Sequence, residues 1–147
     1  MSNNQVPNEL PDHVYEEITA LCKRGDELVN TGNHAEGRQL YVDALRLLPA
    51  DHVNWNAATW IYVALGDSHF LEGSFEKSLR CFVNAVQCPE GLGNPFIHLR
   101  LGQSCFELGD LDKAADELTR AYMGAGLDIF LQDDPKYLDY LKTRIEI

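Results

Sequence analysis

The side chains of this sequence that could carry chemistry are its cysteines, its histidines and its many carboxylates. His98 and Cys105 are seven residues apart, a spacing that puts both on one face of a helix, two turns from each other. A thiolate activated by an imidazole is a nucleophile, so this pair is a candidate catalytic dyad. The competing interpretation is a histidine and a thiol that pack in a core.

Neither metal binding nor phosphate binding has a recognisable pattern here. The glycine-rich run EGLGN (residues 90–94) lacks both the spacing and the preceding strand of a phosphate loop. The carboxylates fall in segments of helical pattern, where they are typical of a solvated face. No CxxC pair and no histidine at zinc-finger spacing accompanies the four cysteines, which are Cys22, Cys81, Cys88 and Cys105. We therefore predict free thiols in a reducing compartment, no metal, no cofactor and no enzymatic activity.

Charge and composition narrow the class of partner. The 147 residues are 45% hydrophobic and 24% charged, as in an ordinary globular domain. Twelve basic and 23 acidic residues give a net charge of −11, which argues against binding to nucleic acid or to an anionic membrane, because both need a basic face. Residues 1–36 and 107–147 each carry a net charge of −5, and residues 37–106 carry −1. These acidic ends favour a basic partner or simply serve solubility.

The N-terminus looks like neither a leader nor a structured element. Residues 1–11 are polar and have neither the basic start nor the apolar run of a signal peptide. No stretch of the sequence reaches the roughly 18–20 apolar residues that cross a bilayer. We predict a disordered polar tail over residues 1–11, a single domain over residues 12–147 and a cytoplasmic location.

Three copies of one pattern organise the domain. Each copy has a glycine, a second glycine seven residues later, then a small residue, a large apolar residue and an alanine. The copies are 41 and 36 residues apart. In order, they hold Gly25, Gly32, Gly37, Tyr41 and Ala44; Gly66, Gly73, Ser78, Phe82 and Ala85; and Gly102, Gly109, Ala114, Leu118 and Ala121.

The pattern predicts a helix, a turn and a second helix in each copy. The second glycine stands where a helix ends in a left-handed residue, which glycine adopts at little cost. The first glycine lies inside the first helix, where it is unfavourable by about 1 kcal/mol unless two helices approach closely. We expect the small residue of the second helix to face it. The copies cover about residues 13–50, 51–90 and 93–124, and they must stack to bury their apolar faces.

The connections differ in kind. We predict one long helix from near Asn54, capped by Asp51 or Asn54, that projects two turns beyond the stack. The second connection, CPEGLGN, is predicted to be a loop, with Asn94 as N-cap and Pro95 as the first residue of the next helix. After a break at GAG, residues 126–145 form a short apolar turn and a helix that begins at Pro135. Its apolar stripe either covers the end of the stack or is itself a docking surface.

The sequence resembles the tetratricopeptide repeat (TPR) family over roughly residues 15–123. The second copy matches the family signature at Tyr62, Leu65, Gly66, Phe82 and Ala85, and the third at Leu101, Gly102, Ala114 and Ala121. The resemblance implies an all-α fold: three helix pairs stacked as a short right-handed solenoid, with a C-terminal capping helix. His98 and Cys105 occupy positions where the family keeps packing residues, so we favour the core interpretation for both.

The resemblance also implies a binding site. In the family, the first helix of each pair lines a concave groove that binds extended or helical peptides. Some members of the family hold the C-terminal carboxylate of chaperone tails with a clamp of lysines, asparagines and an arginine in this groove. At the matching positions this sequence keeps only the arginine, Arg100, so we do not expect it to bind such tails. The rings at the inward positions either anchor a partner or pack against the projecting helix or the C-terminal segment. The inward positions are Trp60, Val63, Asp67, Phe70, Phe96, Leu99, Arg100, Gln103 and Phe106, with Cys22, Asp26 and Val29 in the first copy.

The whole chain, and above all residues 91–126 and 133–145, resembles small stand-alone bacterial TPR proteins found beside polymorphic (Rhs-type) toxins. This resemblance implies an immunity protein that neutralises a toxin domain, which the charge predicts to be basic. Its size, acidity and three repeats also resemble type III secretion chaperones. A structural adaptor in which a second copy of the chain fills the groove is the remaining alternative.

Overall fold

The computed structural model describes residues 10–147, and most of the predicted tail, residues 1–9, lies outside the described residues. Leu10 packs half-buried against the first core cluster, and Pro11 directly precedes the first helix. Every regular element in the described range is helical, which confirms the all-α class. The α-helices are α1 (Asp12–Asn30), α2 (His34–Arg46), α3 (Asn56–Leu71), α4 (Phe75–Val86), α5 (Pro95–Glu107), α6 (Leu111–Ala125) and α7 (Pro135–Lys142), with short 3-10 turns at His52–Asn54 and Leu127–Phe130.

The helices pack as consecutive pairs. α1 packs on α2, α3 on α4 and α5 on α6, and each pair joins the next through α2–α3 and α4–α5 contacts. α3 also contacts both α1 and α5, so the first helices of the pairs form one layer. We call the surface of that layer that carries the predicted groove residues the first-helix face.

Glycine permits the close approach of each pair. A Cβ atom on Gly66 would lie 2.6 Å from the ring of Phe82, and one on Gly25 would lie 2.7 Å from the ring of Tyr41. The large apolar residue therefore lies against the glycine. The small residue of the second helix faces the same glycine, as predicted, since Ser78 Oγ donates to the Gly66 carbonyl at 2.9 Å. The turn glycines have the predicted left-handed conformation, as at Gly73 with φ +79°.

The predicted projection of the long helix is wrong. α3 begins at Asn56, with Trp55 rather than Asp51 or Asn54 at its N-cap position. Two residues of its first turn, Ala57 and Ala58, are buried in the first core cluster, together with Ile18 of α1 and Leu48, which follows α2. The extra residues of the connection form the 3-10 turn at His52–Asn54 instead of lengthening the helix.

The predicted cap at Asn94, the break at GAG and the start at Pro135 are confirmed, whereas α7 ends at Lys142 rather than near residue 145. Asn94 Oδ1 accepts hydrogen bonds from the Phe96 and Ile97 amides at 3.0 and 3.3 Å, and Pro95 begins α5. α6 ends where Gly126 takes φ +77°. Asp134 caps α7 by accepting from the Lys136 amide at 3.0 Å. Within residues 10–147, no helix is long and apolar enough to cross a membrane.

Candidate functional site

The predicted groove residues of the second and third copies lie on α3 and α5, and they differ in exposure. Trp60 is 39% exposed, whereas Leu99, Arg100 and Gln103 are 1%, 7% and 0% exposed. The remaining predicted residues are half-buried: Val63, Asp67, Phe70, Phe96 and Phe106. The first-helix face is therefore open at one end and covered at the other.

The C-terminal segment, defined as residues 127–147, covers the α5 end. Phe130, Tyr137 and Leu141 of this segment are buried in one cluster with Leu99. The Tyr137 ring centroid lies 5.5 Å from that of Phe106. Three of the four predicted groove rings, Phe70, Phe96 and Phe106, pack against this cluster. Of the two interpretations of the inward rings, an anchor for a partner or packing within the chain, these three rings follow the second, because they pack against the C-terminal segment.

A caged arginine joins the segment to the face. Arg100 Nε donates to Asp67 Oδ1 at 2.8 Å, and Nη1 donates to Gln103 Oε1 at 2.7 Å and to Asp133 Oδ1 at 3.3 Å. The guanidinium carbon lies 4.2 Å from the ring centroid of Phe70 and 4.9 Å from that of Phe96. Two rings and two carboxylates thus hold this buried cation, an arrangement that we call the Arg100 cage.

Further polar contacts fasten the C-terminal segment. Gln103 Nε2 donates to Asp133 Oδ2 at 2.9 Å, so Asp133 bridges two residues of α5. Glu107 Oε2 accepts from Tyr137 Oη at 2.5 Å and from Lys136 Nζ at 2.7 Å. Burial and the hydrogen bond to Glu107 raise the pKa of Tyr137 well above its usual range. The predicted apolar stripe of α7 is therefore used inside the molecule.

The α1 end of the first-helix face is different, and we call it the open half. Tyr15 and Trp60 are 49% and 39% exposed, with ring centroids 6.2 Å apart and planes at 82°. Beside them is a cavity of about 230 Å³, lined by Leu10, Asp12, Tyr15, Trp55, Asn56, Ala57 and Trp60. Sequence reasoning missed Tyr15, although it stands seven residues before Cys22, on the same helical face as that predicted position.

The other first-copy positions serve the helix pair. Cys22 and Val29 are half-buried and pack against the first core cluster. Asp26 accepts a hydrogen bond from Tyr41 Oη at 2.5 Å, which ties α1 to α2. Burial, with Asp26 adding to it, raises the pKa of the Cys22 thiol to about 11. Cys22 and Val29 therefore contribute packing between helices, whereas Asp26 is exposed.

His98 and Cys105 do not form a dyad geometry. His98 Nδ1 pairs with Glu117 Oε1 at 2.6 Å, and its Nε2 accepts from the Gly93 amide at 2.8 Å. Both ring nitrogens are thus engaged away from the thiol. Burial raises the pKa of Cys105 to about 11, which disfavours the reactive thiolate.

No group of three histidine, cysteine, aspartate or glutamate side chains that could hold a metal ion occurs among residues 10–147. No family model matches the sequence, and no curated protein matches it either. The open half, with its exposed rings, is therefore the candidate site that the residues themselves define.

Proposed function

We propose that this chain is a non-enzymatic protein-binding module of the TPR type that holds a protein or peptide partner on the open half of its first-helix face. The observation that carries the proposal is the pair Tyr15 and Trp60, two large rings left exposed side by side on α1 and α3. Exposed aromatic side chains on adjacent helices are typical anchors of protein interfaces, because each can bury a large area at low entropic cost.

The α5 end of the first-helix face, which the C-terminal segment covers and which we call the closed half, supports this proposal by its own contacts. There, a short turn and one helix of the same chain lie on α5 through aromatic rings, an aspartate and a tyrosine hydroxyl. The C-terminal segment is thus an example of the kind of peptide that this layer of helices accommodates. The open half belongs to the same layer, and a partner segment of similar size fits there as an intermolecular counterpart.

The specific biological roles differ in their partners. An immunity protein binds a toxin domain, a secretion chaperone binds an exported protein, and a homo-oligomeric adaptor binds its own copy. The net charge of −11 favours a basic partner among these, because complementary charge speeds association. Identifying the bound sequence decides between the roles.

A displayed random-peptide library, panned on the full chain, tests the proposal. We expect enriched peptides whose affinity for the Trp60→Ala variant falls by about 2 kcal/mol, the effect of removing an interface anchor. Val83→Ala is the matched control, since Val83 is 40% exposed on α4, a second helix. Peptides that bind Trp60→Ala and the unmodified chain equally would place the binding surface elsewhere.

A further inference from the structure

We infer that the cavity beside Tyr15 and Trp60 is a receptor for one cationic side chain, a lysine or arginine that a basic partner presents. This inference rests on the proposed function and specifies the chemistry of its anchor. The cavity, of about 230 Å³, is smaller than the roughly 300–1,000 Å³ that drug-sized ligands occupy. Its size suits a single side chain rather than a small-molecule cofactor.

The aromatic walls have the chemistry that a cation needs. Trp60 and Tyr15 stand almost perpendicular to each other, so they form two walls of a corner, and Trp55 also lines the cavity. The face of an indole or phenol ring carries negative electrostatic potential, and tryptophan attracts cations most strongly of the aromatic side chains. An ammonium or guanidinium group therefore gains more from these walls than a neutral group of the same size.

Acidic groups add to this preference. Asp12, the charged residue among those that line the cavity, stands three residues before Tyr15 on α1, so both lie on one helical face. Asp51 accepts from the indole Nε1 of Trp55 at 3.3 Å and so holds a second carboxylate at the edge of that ring. No lysine or arginine of the described residues lines the cavity. The negative charge of the cavity is therefore not neutralised by a lining side chain and can attract a cation of the partner.

The same molecule contains an arginine held in the same way. In the Arg100 cage, the rings of Phe70 and Phe96 and the carboxylates of Asp67 and Asp133 hold a guanidinium group. The cavity of the open half repeats these components with Tyr15, Trp60 and Asp12. The closed half supplies its own cation from α5, whereas the open half takes its cation from the partner.

Nuclear magnetic resonance of the full chain tests this inference directly. The chain has two tryptophans, Trp55 and Trp60, and hence two indole N–H signals. The probes are the N-acetyl amides of arginine and lysine, with N-acetyl-citrulline amide as the neutral isostere of arginine. We expect arginine or lysine to shift the Trp60 signal saturably and to bind about threefold more tightly than citrulline, as a cation–π contact at an exposed site predicts.

Variants sharpen the result. Asp12→Asn removes the charge while keeping a side chain that helix N-termini favour, and we expect it to weaken the arginine or lysine probe about threefold. Val83→Ala is expected to leave probe binding unchanged. Equal binding of citrulline, or no shift of either indole signal with probe in the tens of millimolar range, would overturn the inference.

The outcomes separate the inference from the proposed function. Library peptides that require Trp60 but lack a lysine or arginine at a fixed position would keep the protein-binding function and overturn the cationic receptor. Cationic probes that bind the cavity, in a chain that selects no peptide, would keep the receptor chemistry and overturn the binding of a longer partner.

Discussion

The two halves of the first-helix face use similar residues for opposite purposes. In the closed half, Phe70, Phe96 and Arg100 lie under the C-terminal segment and form part of a core. In the open half, Tyr15 and Trp60 keep 49% and 39% of their surface exposed. An aromatic residue at an inward position therefore indicates a binding surface only where no other segment of the chain covers that residue.

The largest expected effect is the loss of stability when the buried ring of the C-terminal segment, Phe130, is removed. Phe130 is 3% exposed and lies in the cluster that closes the α5 half. We expect Phe130→Ala to lower the free energy of unfolding by about 3–5 kcal/mol, as deletion of a buried ring does. Chemical denaturation followed by circular dichroism measures this change.

The neighbouring Leu131 is the control, because it is 68% exposed. Leu131→Ala should change the free energy of unfolding by about 0.5 kcal/mol or less. Similar values for the two variants would mean that the segment is not packed on α5, and the contrast between the halves would be lost.

Breaking the Arg100 cage is the next test. Asp133→Asn removes one of the two carboxylates that pair with the buried guanidinium, and Asp67 alone then compensates it. We expect a loss of about 1–3 kcal/mol in the free energy of unfolding, because a hydrogen-bonded buried charge loses a partner. Asp139→Asn, at an exposed position of α7, should have almost no effect. An unchanged stability for Asp133→Asn would show that Asp133 does not hold the segment.

A matched pair of ring deletions sharpens the comparison. Phe106 contacts Tyr137 and Tyr140 with ring centroids 5.5 and 5.3 Å apart, so Phe106→Ala should lower the free energy of unfolding by about 2 kcal/mol. Trp60→Ala should lower it by under about 1 kcal/mol while abolishing most peptide binding. Thermal melting and binding to a library-selected peptide separate the two effects. A larger loss of stability for Trp60→Ala than for Phe106→Ala would contradict the assignment of the two halves.

The smallest expected effect concerns the thiols. Burial raises the pKa of both Cys22 and Cys105 to about 11 from a usual value of 9.0. Both should react slowly with a disulfide reagent near neutral pH, and Cys105, which is 1% exposed, more slowly than the half-buried Cys22. Because the folded state disfavours the thiolates, the stability that they contribute is present below pH 9 and is lost as pH rises toward about 11. Rapid modification of Cys105 in the folded protein would revive the catalytic interpretation.

Much of the fold follows from local signals in the sequence. The left-handed turn at Gly73, the cap at Asn94 and the helix start at Pro135 each depend on the conformation of one or two residues, and each was predicted at its position. The packing of the start of α3 was predicted wrongly, because no local signal indicates that Ala57 and Ala58 pack against the preceding helix pair. Local rules therefore predict where helices end better than where they pack.

Alone, the sequence determined the helices and the turns between them, since these depend on glycine conformation, capping and a period of 3.6 residues. The inward positions of the first helices came from the resemblance to the TPR family. Only the tertiary structure decided which inward positions remain exposed. That decision depends on contacts such as Arg100 with Asp133 and Phe106 with Tyr137, between residues about 30 positions apart in the chain. Such pairs form only when the C-terminal segment folds back onto α5, and the repeat pattern carries no information about that docking.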